Sequence, residues 1–388
     1  MGKGQVFQDA PFTYEDHVSG RPIRRLTDYL GHSHHFYFTD PCWFNGNRSM
    51  VFCSDRADRT NLFRYDLDSG TITQMTDLDT RTRIVGCVSE VNHAVYFWSG
   101  NRLLGVDLDS FDEHIITEVD PTVPPHVRKS RACPTADGRH ICAQLMEDLP
   151  RDRPRIEFAY SRFQEYFEKR PLTRIVRIEI ATGRQQVVHE DRRYMGHVNA
   201  SPTQPHLLTF CHEGPWRLVE QRIWGLNLET GQVWKIRPQE GDNCAIGHEY
   251  WFADGLRIGY HGRPRQGSGE HIFGHIRFDN SEHIETHFPF HSTHFHSLDE
   301  HMIVGDGTPA QAAHAQPYIQ LFQRRGDAYI GPKVLALHRS TFNDQHAHCH
   351  PRFTPDGRSV LYTSDLTGYS NMYLAEIGAL DDLPDLTA

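Results

Sequence analysis

Residues 341–350, TFNDQHAHCH, hold Gln345, His346, His348 and His350 within six positions, just ahead of the strand-like run PRFTPDGRSVLYTSD. Near neutral pH an imidazole can ligate a metal or carry a proton. Side chains alternate along an extended chain, so His346, His348 and His350 are in phase and Cys349 should point the other way. Imidazole with a carboxamide such as Gln345 suits Mn, Fe, Ni or Zn better than Ca or Mg. No thiolate cluster accompanies it, which argues against a structural zinc site. Strict alternation favours His346 over Gln345; using Gln345 requires a bend in the chain before His348.

A repeat positions these groups. One unit recurs: a short strand, a D-G or N-G turn, an alternating apolar strand, a polar turn, then a third strand ending near D-L-x-(S/T)-G. It begins as PCWFNGNRSMVFCSDRADRTNLFRYDLDSGTITQMTDL (41–78) and ends as PRFTPDGRSVLYTSDLTGYSNMYLAEI (351–377). Seven such units of about 50 residues, with period-2 alternation and glycine turns, predict an all-β fold, a seven-bladed β-propeller. The last unit lacks a fourth strand before the tail at 381–388. RPIRRLTDYL (21–30) resembles the outer strand of the first unit, so an N-terminal strand is expected to close the last blade, leaving no free sheet edge there. The stretch 155–172 reads as a short helical insertion in blade three, a buttress or a lid. The chain is expected to form a single domain.

Aligning the units on their turn glycines, Gly138, Gly255 and Gly357, places Arg131, His248 and His350 seven residues upstream in each case. The corresponding residue is His197 in blade four. With one residue of slack it is His294 in blade six and Asp40 in blade one. In a propeller, residues ahead of the innermost strand gather at one mouth of the central channel. A shared register in six units is therefore expected to build a site, with Gln345, His348 and His350 joining His294. Histidines outside this register, His93, His140, His206, His261, His314 and His338, read as ordinary turn or core residues.

The formal net charge is -10. That argues against a nucleic-acid partner, whose phosphates require Lys and Arg. The eight cysteines show no CxxC pair or secreted framework, and no apolar stretch is long enough to span a bilayer. With no signal-like N-terminus, a cytoplasmic protein without a membrane partner is expected.

At these residues the chain resembles the oligogalacturonate lyases of polysaccharide lyase family 22, essentially end to end. The similarity is carried by CHEGPWRLVEQRIW (211–224), GHEYWFADG (247–255), HFHSLDEHMIVGDG (294–307), QHAHCHPRFTPD (345–356) and PLTRIVRIEIATG (171–183). The resemblance implies a Mn2+ ion, or another divalent transition metal, held by His294, His348, His350 and Gln345, with His296 the neighbouring alternative to His294. It also implies His248 as general base, Arg222 as an active-site arginine gripping a substrate carboxylate, and His34 near the cleft, with His35 one residue away. Arg131, His197 and His212 are further candidates for contacting substrate, and His197 or His212 for protonating the leaving group. The expected substrate is an acidic oligosaccharide: short, already unsaturated galacturonate oligomers, cut by β-elimination at C5 to release 5-keto-4-deoxyuronate. The alternatives are another uronate oligosaccharide, metal-assisted hydrolysis or a non-catalytic scaffold, in a monomer or homodimer.

Overall fold

The computed structural model describes residues 2–10, 12–119, 127–150, 161–266, 271–288, 291–312 and 314–386. Seven antiparallel sheets follow one another along the chain, and within each the neighbouring strands are mostly consecutive. They are the blades of a seven-bladed β-propeller. By contacts the chain divides into two units. The first comprises 1–84, 107–111 and 288–388, and the second 85–106 and 112–287.

In the second unit the blades are Gly86–Ser89 to Glu113–Glu118, Val127–Pro134 to Gln185–Arg192, Met195–Ala200 to Val233–Lys235, and Cys244–Trp251 to Ile284–Phe288. Strands packed on both faces read as continuous apolar runs, whereas outer strands are solvated. His140–Glu147 is buried at every interior position, while Gln185–Arg192 is exposed along most of its length. Side chains of successive blades interlock: Tyr96 and Leu103 with Ile141 and Val176, Cys142 and Ile175 with Leu208 and Phe210, and Ile223 and Ile236 with Ile258 and Tyr260. Each fully buried large apolar side chain in these layers contributes about 1.5–3 kcal/mol.

Ser161–Lys169 is an α-helix and the chain is in a strand again from Leu172. Residues 155–160 of the expected insertion lie outside the described residues. Tyr166 is buried, donates to Asp148 Oδ1 at 2.6 Å and packs on Tyr194. The Phe167 ring lies where a Cβ on Gly214 would stand, 2.5 Å away, and Gly214 has a φ of +149°. Glycine is required there on both counts. The helix thus braces the loop that follows Glu213.

In the first unit, blade one has a broken inner edge. Ser33–His34 and Trp43–Phe44 both pair with Ser49–Ser54, and residues 35–42 loop out between them. Blade six runs from Phe295–Ser297 to Ala328–Leu337. In the last blade, Arg352–Phe353, Ser359–Ser364 and Asn371–Glu376 are joined by Pro22–Arg25, with Ile23 opposite Ala375, and then by Phe12–Glu15. Val304 and Leu321 of blade six pack with Val360, Tyr362 and Tyr373 of the last blade, in a layer that also takes Ile23 and Cys349.

The shared register has a backbone cause. The turn glycines Gly138, Gly255 and Gly357 have φ of +67°, +66° and +70°. Upstream of them, or of the equivalent turn, Arg131, His197, His248 and His350 have φ of 43°, 47°, 52° and 43°. Ladder pairing slips between Ser130 and Cys133, Gly196 and Asn199, and Gly247 and Tyr250. These slips are β-bulges, each inserting an extra residue that re-aims a side chain. A left-handed φ in a residue with a Cβ costs about 1–3 kcal/mol, and such strain is concentrated at functional sites.

Candidate functional site

In the first unit His294, His348 and His350 are all buried, and one ring nitrogen from each lies within 4.8 Å of the others. Asp306, fully buried, fixes His294 twice: it accepts from the backbone N–H at 2.8 Å and from Nδ1 at 2.6 Å. The carboxylate sets the Nδ1–H tautomer and places the lone pair on Nε2. His348 donates from Nε2 to the Phe342 carbonyl at 3.2 Å, which places its lone pair on Nδ1. His348 Nδ1 and His350 Nε2 are buried with no hydrogen-bond partner among the described residues. Burial, then His294 beside it, pushes His348 down to about 4. The same two causes hold His350 well below its ordinary value. Neutral imidazoles with orphaned, inward lone pairs are what a borderline divalent metal requires. Tyr37 and Phe38, from the blade-one loop, pack on this group at 4.7 Å from His350 and 5.7 Å from His294, giving it an apolar wall.

The chain bends ahead of His348. A turn spans 345–347, closed by the Ala347 N–H on the Asp344 carbonyl at 2.9 Å, so alternation does not extend back to His346. His346 instead packs against His32 at 4.7 Å and stacks over His34 at 5.9 Å. Cys349 points into the interblade core. His296 is excluded from the triad because its Nδ1 accepts the Phe353 N–H at 3.3 Å.

In the second unit, the bulges of blades four and five bring His197, His248 and Glu249 together, with His197 and His248 ring centres 6.3 Å apart. His197 sits between two carboxylates, Nε2 to Glu213 at 3.2 Å and Nδ1 to Glu249 at 3.4 Å. Arg222, 2% exposed, bonds the same pair, reaching Glu213 through Nη1 and Nη2 at 2.8 and 3.2 Å and Glu249 through Nε at 3.0 Å. Burial alone would push the Glu213 carboxyl up. The Arg222 charge and the His197 hydrogen bond outweigh it and hold that carboxyl far below the usual range. His248 Nδ1 and His261 Nε2 are 2.9 Å apart, and Trp216 meets both rings edge-on at 5.4 Å. A Cβ on Gly247 would stand 2.1 Å from the Trp216 ring, so glycine must precede His248.

The model of a family described as oligogalacturonate lyase matches residues 1–380. The chain belongs to the oligogalacturonate lyase family. Its relatives include an oligogalacturonide lyase of Pectobacterium atrosepticum and an oligogalacturonate lyase of Dickeya dadantii. Each is 26% identical over 97% of this chain and 98% of its own length. A solved oligogalacturonate lyase in complex with manganese superposes with a TM-score of 0.85 at 24% identity, covering 99% of both chains. Another, from Vibrio parahaemolyticus, gives 0.84 at 25% identity over 97% of this chain and 98% of its own.

Set against the roles that the oligogalacturonate lyase resemblance implies, several residues acquire different surroundings. Arg222 directs its bidentate fork at Glu213 and its Nε at Glu249, the two carboxylates that also flank His197. His212 ends the strand Leu207–His212 and packs on Trp224 at 4.8 Å. Burial, then Arg193, pushes it down to about 4. Arg131 Nη1 donates to Asn199 Oδ1 at 2.9 Å. His34, buried, bonds the His35 carbonyl at 3.2 Å and belongs with His32 and His346. His35 is held by the backbone carbonyls of Phe36 and Cys349. Asp306, Glu213 and Glu249 lie in the stretches 294–307, 211–224 and 247–255, but nothing in the sequence marks their roles, because pairing with a distant cation or imidazole leaves no local signal.

Removing one partner of a buried ion pair strands the others. Arg222→Met is therefore expected to destabilise the protein by about 3–5 kcal/mol, and Arg222→Met with Glu213→Leu by less. Thermal unfolding of the two variants beside the parent measures this. A double variant no better than the single would contradict it.

Proposed function

We propose that the chain is a metal-dependent lyase that cleaves short, unsaturated oligogalacturonides by β-elimination, releasing 5-keto-4-deoxyuronate. The observation that carries the reading is the buried triad whose inward nitrogens on His348 and His350 lack a partner among the described residues. Family membership gives the substrate class, and the similarity to a manganese complex favours Mn2+. His294, His348 and His350 would hold the ion, with Gln345 as the fourth ligand that the resemblance implies. Bound there, it supplies Lewis acidity toward the uronate carboxylate next to C5.

His248 removes the C5 proton. A neutral imidazole suits that step because its basicity lies near the working pH. The C–H electron pair becomes the C4=C5 double bond as the C4–O bond breaks, and the departing oxygen takes a proton from water or from His197. Arg222 holds Glu213 and Glu249, which hold His197.

The test is digestion of galacturonate oligomers by Mn2+-loaded protein, with products weighed by mass spectrometry. Elimination gives fragments whose masses sum to that of the substrate, one of them unsaturated or its keto isomer. Fragments heavier by one water would show hydrolysis instead. The same assay on other uronate oligomers reads the preference.

A further inference from the structure

His261 reads in the sequence as a core histidine, and by burial it is one, at 3% exposed. Its ring is nevertheless placed against another imidazole. It lies nearly parallel to His248, with an interplanar angle of 18° and centroids 5.2 Å apart, and its Nε2 is 2.9 Å from His248 Nδ1. The two residues sit on neighbouring strands, Cys244–Trp251 and Arg257–Pro264, where His261 pairs with Gly247 in the ladder just before the bulge. Trp216 closes the edge of both rings, and the Arg263 guanidinium lies over the Trp216 face, 5.3 Å from its centre.

Two neutral imidazole nitrogens at this distance share one proton, and which of them carries it sets the chemistry of both rings. If His248 Nδ1 donates, its lone pair lies on Nε2 and His261 must carry its own proton on Nδ1. If His261 Nε2 donates, the lone pair of His248 is used up inside the protein. Only the first arrangement leaves His248 a basic nitrogen for substrate. As His248 gains a second proton its Nδ1–H becomes a charge-assisted donor, and a neutral acceptor at 2.9 Å strengthens that bond.

We propose that His261 is a positioning residue for His248: its Nε2 accepts the His248 Nδ1 proton, fixing the tautomer and ring plane in which His248 Nε2 takes up the C5 proton. This rests on His248 being the base in the reading above. It adds a buried histidine relay, with Trp216 as its wall, to a role assigned to one residue.

The test combines nitrogen NMR of 15N-histidine-labelled protein with steady-state kinetics on galacturonate oligomers in the presence of Mn2+. In the unaltered protein at neutral pH, His248 is expected to be protonated at Nδ1 and His261 Nε2 to be unprotonated; the reverse would overturn the proposal with no variant needed. His261→Leu is expected to lower kcat by about 10–10³-fold, in the range of lost tautomer control or lost general-base assistance. KM should stay within a few-fold, bound metal should be unchanged and His248 should shift toward Nε2 protonation. His261→Gln, which keeps an acceptor in reach, should restore most of kcat and the Nδ1–H tautomer. Unchanged kcat in His261→Leu, or a loss that Gln does not repair, would sink the idea. His248→Ala separates the two levels: if it is fully active while the tautomer still depends on His261, the base assignment fails and the positioning stands.

Discussion

His248→Ala is expected to lose about 10²–10⁴-fold in kcat on galacturonate oligomers while retaining its metal, the range over which a positioned general base acts. Its expected insensitivity in metal content follows from where the residue sits. The buried triad is His294, His348 and His350, and His248 is not a member of it but is paired with His261 at 2.9 Å. Alanine removes the imidazole without stranding a buried charge, although the bulge keeps a left-handed φ of 52° that alanine tolerates poorly. Folding is therefore checked by thermal unfolding, and kcat is compared at saturating substrate. An enzyme at full speed with normal metal content would contradict the base assignment.

The second large effect is on the metal itself. His350→Ala is expected to lower divalent-metal affinity by more than about 100-fold, beyond what loss of an outer-shell partner costs. Activity should then fall by about 10³-fold, since the Lewis-acid contribution is worth several kcal/mol. His350 Nε2 is buried with no hydrogen-bond partner among the described residues, and one of the His350 ring nitrogens lies within 4.8 Å of one from each of the other two imidazoles. Elemental analysis after desalting, with a Mn2+ titration followed by thermal unfolding, reads the loss. Metal-replete, active protein would contradict the ligand set. The same measurement on Gln345→Ala and His346→Ala decides between the two neighbours. The bend over 345–347 and the packing of His346 against His32 favour loss in the first and retention in the second.

Much of the architecture is legible in the chain because a propeller is a local fold repeated. Each blade pairs strands that are mostly neighbours in sequence, so glycine turns and period-2 alternation suffice to mark them. The column Arg131, His197, His248 and His350 is legible for the same reason: a fixed offset from the turn is a backbone property, here a left-handed φ, which sits in a bulge at the first three. His294, aligned with one residue of slack because its unit is a residue shorter, lacks that φ.

What the tertiary structure decided is which polar groups meet. Alternation favours His346 beside His348, yet the turn at 345–347 breaks that phase before it can apply. Arg222 carries the right fork for a carboxylate, but Glu213, nine residues earlier in the chain and brought alongside by an antiparallel return, occupies it at 2.8 Å. His261 looks like core and is placed on His248. Local sequence encodes backbone period and turn chemistry through short-range sterics. The partner of a buried charge or imidazole is set by desolvation, which becomes costly only once strands distant along the chain are packed together. The residue types able to do the chemistry were therefore readable in the sequence alone, and the pairing that gives each its role was decided by packing.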